Sequence, residues 1–279
     1  MRLIKAASVA ALFGAALGGW KSFESHPPAK HPAPPVVNLV AHDFAFDSVP
    51  DVPAGVVEFR LHNEGPSLHH AAIYKLNAGK TVADLVAALK NPGPPPGWAI
   101  PVPGPNAPAP GDYSNATTRV TPGNYAVLCF VDAGGSPPHF MKGMFRGFKV
   151  VHAKNPAPAP HADVTVTTFD YGFKFSKPLT PGHHTIGVAS SGKQEHEVEL
   201  VQLAPGKTVK DVLAWLGGDM KTPPPGKPMG GVVGILPGQH ATFDADLTAG
   251  DWGVICFVPD IKDGKPHFMH GMVTQVAVK

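Results

Sequence analysis

Cys129-Phe-Val-Asp-Ala-Gly-Gly-Ser-Pro-Pro-His139-Phe-Met141-Lys-Gly-Met144 is written a second time as Cys256-Phe-Val-Pro-Asp-Ile-Lys-Asp-Gly-Lys-Pro-His267-Phe-Met269-His-Gly-Met272. These hold the only 2 cysteines of the chain, and a histidine stands 60 residues ahead of each, His69 and His196. A thiolate, two imidazoles and a thioether make a soft donor set of the kind that holds copper in electron-transfer sites. The chain carries that set twice.

The duplication reaches beyond the donors. Asp43 and Asp170, His69 and His196, Asp84 and Asp211, Gly111 and Gly238, and Cys129 and Cys256 all lie 127 apart, and past the cysteines the offset becomes 128 for His139/His267 and Met144/Met272. One added loop residue accounts for the change. A constant offset of this size describes two similar domains, because solenoid repeats recur every ~20–50 residues. The expected organisation is an export segment at 1–18, a Pro-rich tether at 19–35, a first domain at 36–153, a linker at 154–161 and a second domain at 162–279.

The 279 residues suffice for two domains that each bury a core. With a formal charge of +2, 16% charged residues and no dense Lys/Arg run, nucleic acid is not an expected partner. Arg2 and Lys5 precede an apolar stretch from Ala6 to Leu17, too short for a comfortable membrane span, and Ala16-Leu17-Gly18 offers small residues for cleavage. The mature chain is therefore expected to begin near Gly19, in the periplasm or outside the cell, with no membrane span.

Within each repeat, β-rich runs lie between Gly/Pro turns. Val36 to Val40 and Val164 to Thr168, Val56 to Leu61 and His184 to Val188, and Ala71 to Leu76 and Glu197 to Leu203 read as strands. One helix per repeat follows: Thr81 and Thr208 are placed to cap it, Asp84 and Asp211 favour its positive end, and Val82, Leu85, Val86 and Leu89 form one apolar face of the first copy. Residues 91–112 and 218–238 read as long irregular loops. The runs Tyr125 to Val131 and Trp252 to Val258 are apolar on both faces, as in a central sandwich strand, and carry the cysteines; Phe145 to Val151 and Val273 to Val278 close each repeat. The fold class is all-β.

An early histidine at a strand start, then Cys, His and Met ahead of the last strand, resembles the cupredoxin (blue type 1 copper) family over roughly 36–152 and 162–279. The resemblance implies two tandem Greek-key β-sandwiches, each with one inserted helix. It also implies two metal sites, His69, Cys129, His139 and Met144 in the first and His196, Cys256, His267 and Met272 in the second. Copper would sit once per domain, with the sulfur and two imidazoles equatorial and methionine as a weak axial ligand. Small cupredoxins place two to four residues between Cys and His, whereas nine and ten stand here. The endings His139-Phe-Met-Lys-Gly-Met144 and His267-Phe-Met-His-Gly-Met272 are similar to the His-x3-Gly-Met of copper nitrite reductases. His70 competes with His69 as first ligand, and Met141 and Met269 with Met144 and Met272.

Duller readings exist for every one of these residues. A buried cysteine is usually a core residue, two cysteines of an exported protein can pair, and Gly-Met can simply pack. The repeated spacing favours ligation. Catalytic copper in the resembling enzymes needs a histidine beside the cysteine, but Leu128, Phe130, Ile255 and Phe257 stand there. No Gly-x-Ser-x-Gly, His-Glu-x-x-His, phosphate-binding loop or CxxC occurs either. The expectation is accordingly a non-enzymatic one-electron carrier working with a redox partner protein. The alternatives are a copper carrier or tolerance protein that serves a copper donor or acceptor, and a metal-free interaction module.

Overall fold

Apolar residues alternate along Val36–His42, where Val37, Leu39 and Ala41 turn inward, and along Val164–Phe169 the inward positions are Val164, Val166 and the polar Thr168. This two-residue period makes each segment a strand with one buried face. A computed structural model of the protein describes residues 32–91, 93–132, 136–218 and 222–279. The expected export segment and residues 19–31 of the expected tether lie outside the described residues. Among those described, no helix is long and apolar enough to cross a membrane.

The chain is mostly β, with one α-helix in each half among the described residues. In the first half Gly55–Asn63 lies between a parallel neighbour, Val36–His42, and an antiparallel one, Tyr113–Val120. Against them stands a second sheet in the order Val52–Pro53, Phe145–Val151, Gly123–Leu128, Ala72–Leu76, Ala99–Val102. The second half repeats the plan. Gly182–Ser190 lies between Val164–Phe169 and His240–Leu247, facing a sheet ordered Val273–Val278, Gly250–Ile255, His196–Leu203, Gly226–Ile235. Each pair of sheets encloses its own core: Leu39, Phe59, Leu61, Tyr125 and Val127 in the first, Val166, Ile186, Leu200, Phe243 and Trp252 in the second.

The helices Val82–Leu89 and Val209–Leu216 are set by the same device. Thr81 and Thr208 accept from the backbone N–H of Asp84 and Asp211, whose carboxylates accept in return from the threonine backbone. This reciprocal box satisfies amides that would otherwise be orphaned and is worth about 1 kcal/mol.

Two sequence expectations change here. Residues 91–112 and 218–238 are not irregular throughout, since Ala99–Val102, Gly104–Pro105 and Gly226–Ile235 are strands. Proline can serve in such strands because an edge position leaves one side of the backbone without a ladder partner. The two halves are also joined by more than a linker. Gly104–Pro105, from the first repeat, adds a fifth strand to the second repeat's sheet by pairing with Val232 and Val233, and Thr242 pairs with Thr117, which joins strands of both halves in one eight-stranded sheet. The described residues belong to one compact unit. In the linker, Asn155 donates to the Val56 carbonyl at 2.8 Å and Ala157 is buried.

Two candidate metal centres

Each cysteine lies one residue beyond the end of a central strand, Gly123–Leu128 or Gly250–Ile255, and each first histidine lies at or just before the neighbouring strand. The second histidine opens a short 3-10 turn, His139–Lys142 or His267–His270, closed by Gly143 (φ 108°) or Gly271 (φ 102°). Those left-handed angles favour glycine at the position. Beyond the glycine the chain returns to the cysteine: Cys129 N–H donates to the Met144 carbonyl at 3.2 Å and Met144 N–H to the His139 carbonyl at 3.0 Å, with the same distances for Cys256, Met272 and His267. The longer loop of the second copy thus leaves the donor frame unchanged.

His69, Cys129 and His139 converge, as do His196, Cys256 and His267, with one donor atom of each within 4.8 Å of the others. In both copies the two histidine Nδ1 atoms stand 3.1 Å apart. Cys129 Sγ is 3.9 Å from His69 Nδ1 and 3.6 Å from His139 Nδ1, and Cys256 Sγ is 3.4 Å from His267 Nδ1. All six side chains are buried. Spacings of this size suit one first-row ion at about 2.0 Å from nitrogen and about 2.3 Å from sulfur, the bond lengths usual for zinc.

The remote nitrogen of each first histidine is fixed. His69 Nε2 lies 2.5 Å from Asp43 Oδ1 and His196 Nε2 lies 2.7 Å from Asp170 Oδ1. A carboxylate there holds the hydrogen on Nε2 and aims the Nδ1 lone pair at the cluster. Gly65 and Gly192 back this pair, since a Cβ on either would run into the aspartate oxygen and the imidazole nitrogen. Asp43 and Asp170 stand at the repeat offset, as do Gly65 and Gly192, but their role is missed in the sequence because it depends on a meeting across 26 residues.

Burial decides the protonation of the donors. It holds His139 and His267 down to about 4, helped by the facing His69 or His196, and lowers His69 and His196 against the opposing pull of their aspartates. Cys129 is pushed up to about 12, and Cys256 also rises far, again through burial. With both rings neutral at pH 7, at most one Nδ1 hydrogen lies between the two nitrogens of each pair, in a place that a metal cation can take. A metal that binds there displaces the thiol proton.

Met144 and Met272 are fully buried, while Met141 and Met269 are 45% and 61% exposed. His70 does not join the cluster: its Nε2 accepts from Phe130 N–H at 2.9 Å, and in the second copy Glu197 accepts from Phe257 N–H at 2.6 Å. The cysteines are free and buried, not bridged.

The fold and the two clusters define a double β-sandwich protein with a soft, cation-seeking site in each half. No family model matches the chain, and no curated protein matches it. Among solved structures it is similar to Na-dithionite reduced auracyanin from Roseiflexus castenholzii, with 22% identity over 43% of this chain and 99% of that one and a TM-score of 0.31. It is also similar to a blue copper oxidase from Nitrosomonas europaea, with 16% identity, 87% and 85% of the two chains and a TM-score of 0.27. A third is a Cu-containing nitrite reductase from Thermus scotoductus SA-01, with 14% identity, 88% of this chain, 62% of that one and a TM-score of 0.27. The expectation of a non-enzyme is corrected by these matches, because an oxidase and a reductase stand among them.

Proposed function

We propose that the protein binds one copper ion in each half and uses the pair in one-electron chemistry. The observation that carries this reading is the doubled cluster of two imidazole Nδ1 atoms and one thiol sulfur, closed to water and keyed by an aspartate. Thiolate, imidazole and thioether together suit copper, and bound copper supplies a reversible one-electron couple. The side chains named for it are His69, Cys129, His139 and Met144, and His196, Cys256, His267 and Met272, on domains 36–153 and 162–279 joined by 154–161. Asp43 and Asp170 orient the first imidazoles, and Met144 and Met272 are fully buried behind the histidine turns that precede them. The expected leader at 1–18 supports a periplasmic or secreted location, where a redox protein or a copper donor would be the partner.

Exposed Met141, Met269 and His270 favour a second reading, transfer of Cu(I), since thioether and imidazole donors lie on the surface of the histidine turns. Loading the protein with Cu(II) separates the two. Two copper ions per chain, with an intense visible thiolate-to-copper band that bleaches and returns on reduction and oxidation, support the electron role. Colourless protein that binds Cu(I) tightly supports transfer, and protein that binds neither refutes both.

A further inference from the structure

The second Cys-to-His loop carries donors that the thiol clusters do not use. Between Cys256 and His267 stand two carboxylates, Asp260 and Asp263, and His270 follows; the shorter first loop has Asp132 alone, with Lys142 in the place of His270. Asp260, Asp263 and His270 come together, with one donor atom of each within 4.8 Å of the others. Backbone bonds pin the loop that brings them there. Asp260 N–H donates to the Lys265 carbonyl at 2.8 Å, Gly264 N–H to the Asp260 carbonyl at 2.9 Å, and His267 N–H to the Val258 carbonyl at 2.9 Å. Asp263 Oδ1 lies 3.2 Å from His270 Nε2.

Asp260 is buried, and its Oδ2 accepts from the Tyr171 hydroxyl and from Gln194 Nε2, its Oδ1 from Lys262 N–H. A carboxylate offers about four acceptor positions, so one is left on Oδ1. His267 Nε2 points at the same carboxylate from the inner side, 3.9 Å from Oδ2. Its side chain is 0% exposed, and this nitrogen has no hydrogen-bond partner among the described residues. The other ring nitrogen, Nδ1, faces Cys256 and His196. A buried ring nitrogen with no partner carries its full desolvation cost. The partner it lacks belongs on the side where Asp260, Asp263 and His270 meet.

We propose that Asp260, Asp263 and His270 hold a zinc ion beside the second cluster. Carboxylate and imidazole without sulfur suit a borderline divalent ion, whereas thiolate and thioether hold the softer copper in the clusters. Zinc bound by three side chains keeps a fourth position for water, and that water is the acceptor His267 Nε2 lacks. Ligands about 2.0 Å from zinc stand about 3.3 Å apart in a tetrahedron. Binding therefore draws the three donors inward from within 4.8 Å and displaces the Lys265 ammonium, 3.5 Å from Asp263 Oδ2. Asp260 moves with them, so zinc changes what faces a ring that also serves the second cluster. The zinc site stands without the copper reading; its effect on the second cluster rests on it.

The test adds zinc to the full chain with both clusters filled by copper and reads bound zinc by chelator competition. One zinc per chain is expected, with no copper lost. Zinc should also shift the visible band of the second site, read alone in Cys129→Ala, and leave that of the first, read alone in Cys256→Ala. Asp263→Asn and His270→Lys, the latter installing the residue of the first copy, should each weaken zinc binding by about tenfold or more, at least the cost of losing an outer partner. If the clusters take no copper or stay colourless, the chain with both cysteines changed to alanine decides by zinc titration, where one zinc is again expected and the same substitutions should weaken it. The copper reading can thus fail while this site stands. No zinc beyond the filled clusters, zinc binding that survives both substitutions, or bound zinc that leaves the second band unmoved overturns the proposal.

Discussion

The two clusters share their donors and differ in what surrounds them. In the first, Phe44 packs on His139 with ring centroids 4.6 Å apart, and the Lys142 ammonium sits 4.3 Å above the Phe44 ring. In the second the same position is Tyr171, 5.2 Å from His267, and its hydroxyl donates to Asp260, which also accepts from Gln194 Nε2 at 2.8 Å. His267 Nε2 is buried without a partner, 3.9 Å from the Asp260 carboxylate, and His270 stands where the first copy has Lys142. Duplication has kept the atoms that would touch a metal and their aspartates, and has exchanged an apolar, cationic setting for an acidic, hydrogen-bonded one. Field and hydrogen bonding around a site tune its potential and its affinity. Two equal sites would need no such divergence.

The sharpest way to break this comparison is to delete one cluster at a time. Cys129→Ala and Cys256→Ala are each expected to remove one of two bound copper ions and leave a visible spectrum of one site. The two remaining spectra should differ in band position, because one arises beside Phe44 and Lys142 and the other beside Tyr171 and Asp260. Identical spectra would show that the surroundings do not matter, and unchanged copper content in either variant would remove the cysteines as ligands.

Next in size are the aspartates, the part that both copies keep. Asp43→Ala and Asp170→Ala each free the remote nitrogen of a first histidine, and loss of such an outer partner costs about 10–100-fold in metal affinity. A similar loss at either site is expected from chelator competition. A loss confined to one copy would mean that the shared pair does different work in the two halves.

Tyr171→Phe tests the part that differs and should act on the second site alone. It removes the donor to Asp260 and gives the second copy the ring of the first. The reduction potential and band of that site should move toward those of the first, with a change in copper affinity below about tenfold, less than loss of a direct outer partner. A shift at the first site of equal size would break the comparison.

Much of this was legible in the sequence, and the limits have physical causes. The cluster residues stand at fixed spacings because the strand ends and the Gly-Met turn fix their places, and the helices carry their caps in Thr81-x-x-Asp84 and Thr208-x-x-Asp211. The strand Tyr113–Val120 gives no apolar pattern because Ser114, Thr117 and Thr118 are polar yet buried in the sheet that joins the halves. Gly226–Ile235 was hidden by its glycines, of which Gly230, Gly231 and Gly234 have positive φ where the strand shifts register along His196–Leu203. Asp43 and Asp170 showed the repeat offset but not their partners. The hydrogen bond from Asn106 Nδ2 to the Val198 carbonyl joins two repeats that sequence spacing treats as independent.

The smallest effect belongs to a residue with no counterpart in the first copy. Glu199 stands where the first repeat has Ala72, 4% exposed, its oxygens accepting from Ala107 N–H at 3.1 Å and Gly230 N–H at 3.3 Å. Burial, then the nearby Glu197, raises its pKa well above the ordinary carboxyl value. The folded state therefore prefers the neutral acid, a contribution fully present below the unfolded value of about 4.3 and lost as pH rises through the folded one. Glu195 and Glu197, raised to about 7 by burial, act in the same sense. Glu199→Gln stays neutral at every pH but replaces one acceptor oxygen with an amide nitrogen. The metal-free variant should melt below the parent at pH 5 and gain on it by pH 8, the difference moving by about 2–4 °C for each ~1 kcal/mol in a chain of this size. A difference in Tm that stays constant between those values would show that Glu199 is ionised in the folded protein throughout, and that the second half bears a buried charge that the first does not.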